Sequence, residues 1–378
     1  MTIAYIGLGG NLGDRNAHIN SALKLLSDDE NIELVRTSEV IETAPLAGLD
    51  QPRYLNAVAE VRTSLSPQGL LEELVEIETS LGRKRKEAPR KAGTRKWTSR
   101  IIDLDLLLFG SQVINEPTLT IPHRQMHLRS FVLKGLCRLN SNLVHPVLKE
   151  TVSVLAERLN GRDFFLNPDA PQLVSVAGVI GVGKTTLAEN LSGLFGCRCI
   201  REAYDKNPYL PKVYAGQKEL ALDSQVFFLS SRVAQLNPKN LPPGQIAISD
   251  YVFEKELIYA RCLLNAEQMS LYEKTYRSVC SEIAQPVLAI CLNDSAENCL
   301  ERIHKRNRPY EQKIELGFLQ DLGCDYDELF AHWKTCPVIR LSMSDFDCEN
   351  AEDLQNLANQ IKSYVADTTT NRKNCLSD

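Results

Sequence analysis

The apolar positions of the first half switch repeatedly between two periods. Residues 2–8 form a β-rich apolar run, and Ile19, Leu23 and Leu26 give residues 16–26 the spacing of a helix face. Residues 32–42 and 54–63 alternate apolar and polar side chains, as half-buried strands do. Pro67 stands where a helix can begin, with Leu70, Leu71, Leu74 and Ile77 as its apolar stripe, and residues 101–109 supply a further strand. The order β-α-β-β-α-β predicts a ferredoxin-like α+β sandwich, followed by helices near 129–138 and 150–159.

From residue 173 the pattern changes. Short runs without alternation, at 173–177, 198–201, 245–250, 286–292 and 338–341, are separated by helical stretches. Strands apolar on both faces between helices predict a doubly wound parallel sheet, an α/β domain. Gly161, Pro168 and Pro171 mark the segment between the two patterns. The expected organisation is an N-terminal domain over 1–160, a linker over 161–172, an α/β domain with a parallel sheet over 173–366 and a polar, disordered tail over 367–378. The halves show no internal repeat.

Composition narrows the class. With 378 residues, 43% hydrophobic and 24% charged, the chain has the makeup of soluble two-domain protein. A formal net charge of -5 argues against general nucleic-acid binding. The eleven cysteines lack metal-ligand spacing and read as reduced thiols of a cytoplasmic protein. No apolar run approaches the roughly 20 residues of a membrane span.

Two places carry chemistry. In Arg100-Ile-Ile-Asp103-Leu-Asp105 the aspartates stand two residues apart, so a strand points both carboxylates to one face. Paired carboxylates in an apolar strand repel unless a cation lies between them, and Mg²⁺ carrying substrate phosphates is such a cation. On its own the pair could be a solvent-facing strand edge. The dense positive charge of residues 83–96, broken by Pro89 and Gly93, suits a loop closing over a triphosphate.

The run Lys96-Trp97-Thr98-Ser99-Arg100-Ile-Ile-Asp103-Leu-Asp105 resembles the signature of the 6-hydroxymethyl-7,8-dihydropterin pyrophosphokinase family. So do Gly7-Leu-Gly9-Gly10-Asn11, Thr43-Ala-Pro45-Leu46, Tyr54-Leu-Asn56, Glu78 with Gly82-Arg83-Lys84-Arg85, and Ile121-Pro122-His123 with Arg129-Ser-Phe131. The resemblance implies transfer of pyrophosphate from ATP to the pterin in folate biosynthesis. It implies that Asp103 and Asp105 hold Mg²⁺, that Arg83, Arg85, Arg100 and His123 contact phosphates, and that Glu78 and Arg129 serve the nucleotide site. Asn56 would read the pterin edge, with Thr43, Pro45, Leu46, Tyr54, Trp97 and Phe131 around the ring. Gly10 stands where the family usually has Ser.

The second place is Gly178-Val-Ile-Gly181-Val-Gly183-Lys184-Thr185, which fits GxxxxGK[ST] between an apolar run and a helical one. The glycines let backbone N–H groups face a polyphosphate, Lys184 adds a point charge, and Thr185 can ligate Mg²⁺; Thr186 follows on the same helix. Glu202 ends the next strand, where a carboxylate can take a hydroxyl proton or simply lie on the surface. Asp250 ends another, as a Mg²⁺ carboxylate would. Arg306 and Arg308 follow a helical stretch, where a lid could carry them.

These features resemble the deoxynucleoside kinase family over about residues 173–365. The resemblance implies transfer of the ATP γ-phosphate to a deoxynucleoside 5′-hydroxyl, with Glu202 as base and Arg306 and Arg308 as lid arginines. Tyr214 and Glu311 would contact the sugar, and Gln225 the base. The family's Asp/Glu-Arg-Ser is Asp250-Tyr251-Val252 here, so an alternative stays open: a non-catalytic nucleotide-binding module that regulates or dimerises the protein. The expected ligands are ATP, Mg²⁺ and the two small-molecule substrates, with no nucleic acid or membrane, and a homodimer through the C-terminal domain is a further expectation.

Overall fold

The computed structural model describes residues 1–46, 49–83 and 98–366, which fall into two compact units, Met1–Phe165 and Leu166–Asp378. In the first, β1 (Thr2–Gly10) leads to α1 (Arg15–Asp28), β2 (Ile32–Thr37), β3 (Ile41–Thr43), β4 (Tyr54–Thr63), α2 (Pro67–Ser80) and β5 (Asp103–Phe109). The sheet is antiparallel in the order β2-β4-β1-β5, with β3 also on β4. This is the α+β arrangement expected from the sequence. A small hairpin of β6 (Ile114–Asn115) and β7 (Thr120–Ile121) and two helices, α3 (Ser130–Asn140) and α4 (Val152–Arg158), complete the unit.

The single strand expected over 32–42 is two strands. The Ser38 hydroxyl accepts the Val58 N–H at 2.9 Å, replacing a rung of the ladder, and pairing resumes only at Ile41. Strand alternation sorts the two faces of the sheet. Ala4, Ile6, Leu8, Leu55, Ala57, Ala59, Leu104 and Leu106 share a buried cluster with Ile19, Leu26, Leu70 and Leu74 of α1 and α2. Asn56 and Val58, Gly7 and Gly9, and Asp103 and Asp105 hold the intervening positions. There α3 approaches so closely that a Cβ on Gly135 would lie 2.4 Å from Val58 Cγ2. The space beyond α3 on that face is a pocket.

In the second unit β8 (Gln172–Ala177), buried at every residue, feeds α5 (Lys184–Phe195). β9 (Arg198–Ile200), α6 (Leu210–Tyr214), α7 (Ala221–Gln235), β10 (Ile246–Ser249), α8 (Lys255–Leu263) and α9 (Ala266–Val279) follow. Then come β11 (Leu288–Asn293), α10 (Ala296–Arg306), α11 (Leu316–Ala331), β12 (Val338–Ser342) and α12 (Ala351–Ile361). All five strands are parallel, ordered β12-β11-β8-β10-β9. The strand order reverses at β8, so a crevice opens beyond the carboxyl ends of β8 and its neighbours. Every sequence-predicted strand of this half is present, within two residues at either end.

Candidate active sites

The pocket of the first unit is lined by Thr43, Leu46, Tyr54, Asn56, Arg100, Asp103, Asp105, Arg129 and Phe131, together with Gly7 and Gly9. Here glycine is required by space. A Cβ on Gly9 would come within 2.9 Å of Asn56 Oδ1, and one on Gly10 within 2.2 Å of the Ile101 carbonyl oxygen. The second distance explains why this chain has Gly10 where Ser was the expectation: β1 and the segment leading into β5 approach too closely for a side chain. Asn56 donates to Thr43 Oγ1 at 2.9 Å, which fixes its amide toward the pocket, and Tyr54 donates to Gln51 Oε1 at 3.0 Å. One wall is therefore an amide between aromatic and aliphatic faces.

The opposite wall is ionic. Arg83 and Arg100 both donate to Asp103, one to each oxygen. Arg129 lies 3.6 Å from Asp105 Oδ2 and His123 Nε2 3.9 Å from Oδ1. Burial, then the Asp105 charge, push Asp103 up to about 6. Burial acts on Asp105 in the same direction but is outweighed by His123, Arg129 and Arg100, which hold it below the usual carboxylate range. Two carboxylates on one strand face, with Arg83, Arg100, Arg129 and His123 around them, are hard oxygen donors of the kind that suits Mg²⁺.

Glu78 sits behind this wall. It is 1% exposed and accepts the Leu104 N–H at 2.8 Å and the Arg83 guanidinium. It therefore anchors the cations and the strand from beneath. Asn11, given no role of its own in the sequence reading, ties the approach to β5: its Oδ1 accepts the Arg100 N–H at 2.8 Å and its amide donates to Ser99. Pro45 adjoins the lining residues Ala44 and Leu46 without lining the pocket itself. Arg85 and Trp97 lie outside the described residues.

In the second unit, Gly178, Gly181 and Gly183 carry φ of 138°, 86° and 106°. These left-handed values turn successive amides inward, and Gly183 is the N-cap of α5. Lys184 donates to the Val179 carbonyl at 2.8 Å across the loop. Burial, then the nearby Lys255 charge, push it down to about 7. Thr185 Oγ1 donates to Asp250 Oδ2 at 2.8 Å, and the other Asp250 oxygen accepts the Glu202 N–H at 2.9 Å. Thr185, Asp250 and Glu202 are thus brought to one crevice, as the strand ends imply. Thr185 hydroxyl and Asp250 carboxylate are also a donor set that fits Mg²⁺ held mainly by phosphates.

Glu202 is gripped at both oxygens, by Arg232 at Oε1 and by Lys255 Nζ at Oε2, 2.7 Å away. Arg232 also donates to Glu256, which in turn accepts the Tyr272 hydroxyl. Lys255 and Glu256 were missed from the sequence; they are 3% and 0% exposed. Gln225 lies on the buried face of α7 with Ser224, Phe228 and Arg232. At the end of α10, Arg306 Nε donates to Glu311 Oε2 at 2.7 Å; past it, Arg308 lies 3.4 Å from Oε1 and its guanidinium stacks 3.9 Å over the Tyr204 ring. The Tyr214 ring stands 6.1 Å from that of Tyr310, beside Glu311. Thr186 follows Thr185 on the first turn of α5.

Each half thus holds a site for an anionic, phosphorylated ligand facing an organic acceptor, the equipment of ATP-dependent phosphate-group transferases. Residues 5–141 match the family model of 7,8-dihydro-6-hydroxymethylpterin-pyrophosphokinase, and residues 174–366 that of deoxynucleoside kinase. The chain belongs to both families, one in each half. The 2-amino-4-hydroxy-6-hydroxymethyldihydropteridine pyrophosphokinase of Haemophilus influenzae is 40% identical over 168 residues, 44% of this chain and 100% of its own. The deoxyguanosine kinase of Bacillus subtilis is 34% identical over 200 residues, 51% of this chain and 97% of its own. A solved deoxyadenosine kinase from M. mycoides with bound dCTP aligns with 50% of this chain and 99% of its own at 22% identity and a TM-score of 0.44. Among the described residues no helix is long and apolar enough to cross a membrane.

Proposed function

We propose that the chain carries two successive-phosphate chemistries: pyrophosphate transfer from ATP to 6-hydroxymethyl-7,8-dihydropterin in the first half, and γ-phosphate transfer from ATP to a deoxynucleoside 5′-hydroxyl in the second. The first reading is carried by Asp103 and Asp105, which share a pocket with Asn56, Tyr54 and Phe131. A flat heterocycle with a polar edge fits the amide and aromatic wall. The phosphate chain fits the cationic wall, where Arg83, Arg100, His123 and Arg129 offset charge as it moves. Asp103 and Asp105 would hold Mg²⁺, which would offset the negative charge of the transferring phosphates.

The second reading is carried by Glu202, two residues past β9 at the crevice, whose N–H donates to Asp250 Oδ1 and whose carboxylate is held by Arg232 and Lys255. There it can take the proton of a hydroxyl lined up with the γ-phosphate held by Lys184 and the loop amides. Thr185 and Asp250 would hold the Mg²⁺. Arg306 and Arg308 would meet the transferred group, Glu311 and Tyr214 would contact the sugar, and Gln225 would contact the base. The identity to a deoxyguanosine kinase makes deoxyguanosine the first acceptor to test. A dimer formed by this half, a cytoplasmic location and the boundary at 161–172 belong to the same proposal.

One set of assays tests both. With labelled ATP, Asp103→Ala or Asp105→Ala lowers pterin-dependent AMP formation from ATP by about 10³-fold or more while deoxynucleoside phosphorylation persists. Glu202→Gln does the converse, with nucleoside binding retained. Near-normal pterin turnover in either aspartate variant sinks the metal assignment. A protein that binds ATP yet phosphorylates none of the four deoxynucleosides is a nucleotide-binding module in its second half.

A further inference from the structure

The residue after Asp250 cannot serve the crevice. Tyr251 is 0% exposed, packs in the core with Leu229, Tyr272 and Tyr276, and spends its hydroxyl on Gln235 Oε1 at 2.6 Å. The cation expected at the end of β10 is therefore absent from the Glu202 carboxylate at that position. A cation reaches it from four residues further on. Lys255 opens α8, is 3% exposed, and places Nζ 2.7 Å from Glu202 Oε2. One helical turn later the Tyr259 ring lies 4.8 Å beneath the same ammonium and fixes its direction.

We propose that Lys255 is the positioning residue of the second site, orienting Glu202 in place of the arginine that Tyr251 displaces. The inference rests on Glu202 acting as the base. Arg232 does not fill this role alone, because its guanidinium is shared with Glu256 and stands 4.9 Å from the Phe228 ring centre and 5.4 Å from that of Tyr251. It anchors Oε1 to the packed interior. Lys255 sets Oε2, and each oxygen keeps a lone pair with which to accept a substrate hydroxyl. The Lys255 charge also acts on Lys184 and is itself acted on by Asp250, so the ammonium borders the place where phosphate charge develops. A purely structural ion pair would behave otherwise: exchange for an apolar residue would alter stability and leave turnover alone.

The experiment compares steady-state phosphorylation of deoxyguanosine by the full chain carrying Lys255→Met, Lys255→Arg, Glu202→Gln or Lys255→Met with Glu202→Gln. Lys255→Met lowers kcat by about 10²-fold or more with KM for either substrate moving by less than about threefold, the mark of an interaction felt in the transition state. Lys255→Arg, which keeps the charge, stays within about tenfold of the parent, and in the Glu202→Gln background Lys255→Met costs less than about threefold more. Turnover of Lys255→Met close to the parent, with Glu202→Gln inactive, overturns the assignment. If Glu202→Gln itself retains turnover, the base reading fails instead, so the two failures are distinct. Should Lys255→Met not fold, Lys255→Gln replaces it, and equal turnover in the glutamine and arginine variants also overturns the proposal.

Discussion

At the scale of single residues, the glycines of the phosphate loop separate conformation from space. Gly181 has φ of 86°, and a Cβ there would stand 2.4 Å from the Cys299 carbonyl of α10. Gly181→Ala therefore strains its own backbone by about 1–2 kcal/mol and also pushes α10, whose last residue is Arg306. We expect ATP affinity of the second site to fall by about tenfold or more, read by calorimetry. Gly193→Ala is the contrast: on α5 with nothing within 4 Å of the added methyl, it stabilises by about 0.5–1 kcal/mol. The need for glycine at Gly178 and Gly183 was legible in the sequence, because GxxxxGK[ST] specifies both, whereas the pattern leaves the position of Gly181 open. The need at Gly10 was not legible, because the Ile101 carbonyl that forbids a side chain is ninety-one positions away in the chain.

At the scale of elements, the turn that joins α3 to α4 sets a pH response. His145 is 4% exposed, and its Nδ1 accepts the N–H groups of Leu148 at 3.1 Å and Val147 at 3.3 Å, which requires the neutral ring. Burial, then the facing His127, push it down to about 3 from 6.5. The unfolded chain takes up a proton below pH 6.5 that the folded one refuses, so this contribution is complete above that pH and is lost progressively toward about pH 3. At pH 5 the first unit is weaker by about 2 kcal/mol from this group alone, and His145→Asn, whose Oδ1 can accept the same amides, flattens the slope of denaturant midpoint against pH.

Elements were the level at which sequence spoke most clearly. The inner strands β8, β10 and β11 of the second half were legible because both faces are largely buried, leaving apolar runs. The break between β2 and β3 was hidden, since Ser38 fits an alternating pattern as well as it fits the rung it replaces. The site was legible wherever a backbone position fixed a side chain's direction: Asp103 and Asp105 by strand period, Glu202 and Asp250 by strand ends. Lys255 and Glu256 were illegible because their burial depends on α7 and α9 arriving from elsewhere, with Arg232 and Tyr272 as partners.

At the scale of the whole molecule, each unit has its own closed core, one built on Ile6, Leu26 and Leu74, the other on Leu229, Tyr251 and Tyr272. Residues 1–165 and 166–378 should therefore fold as separate pieces, and calorimetry of the full chain should show two cooperative transitions. Ligands sharpen the test: a pterin analogue raises only one transition, a deoxynucleoside only the other. A single transition, or two fragments that both remain molten, would contradict two independent cores.

Covalent union of two self-sufficient cores has a consequence in supply. Ribosomes deliver both sites in a one-to-one ratio, whatever the demand for either product. Expression cannot tune one reaction against the other. Any imbalance between them must be absorbed by turnover number and substrate level, so the two sites are bound by inventory even where they share no chemistry.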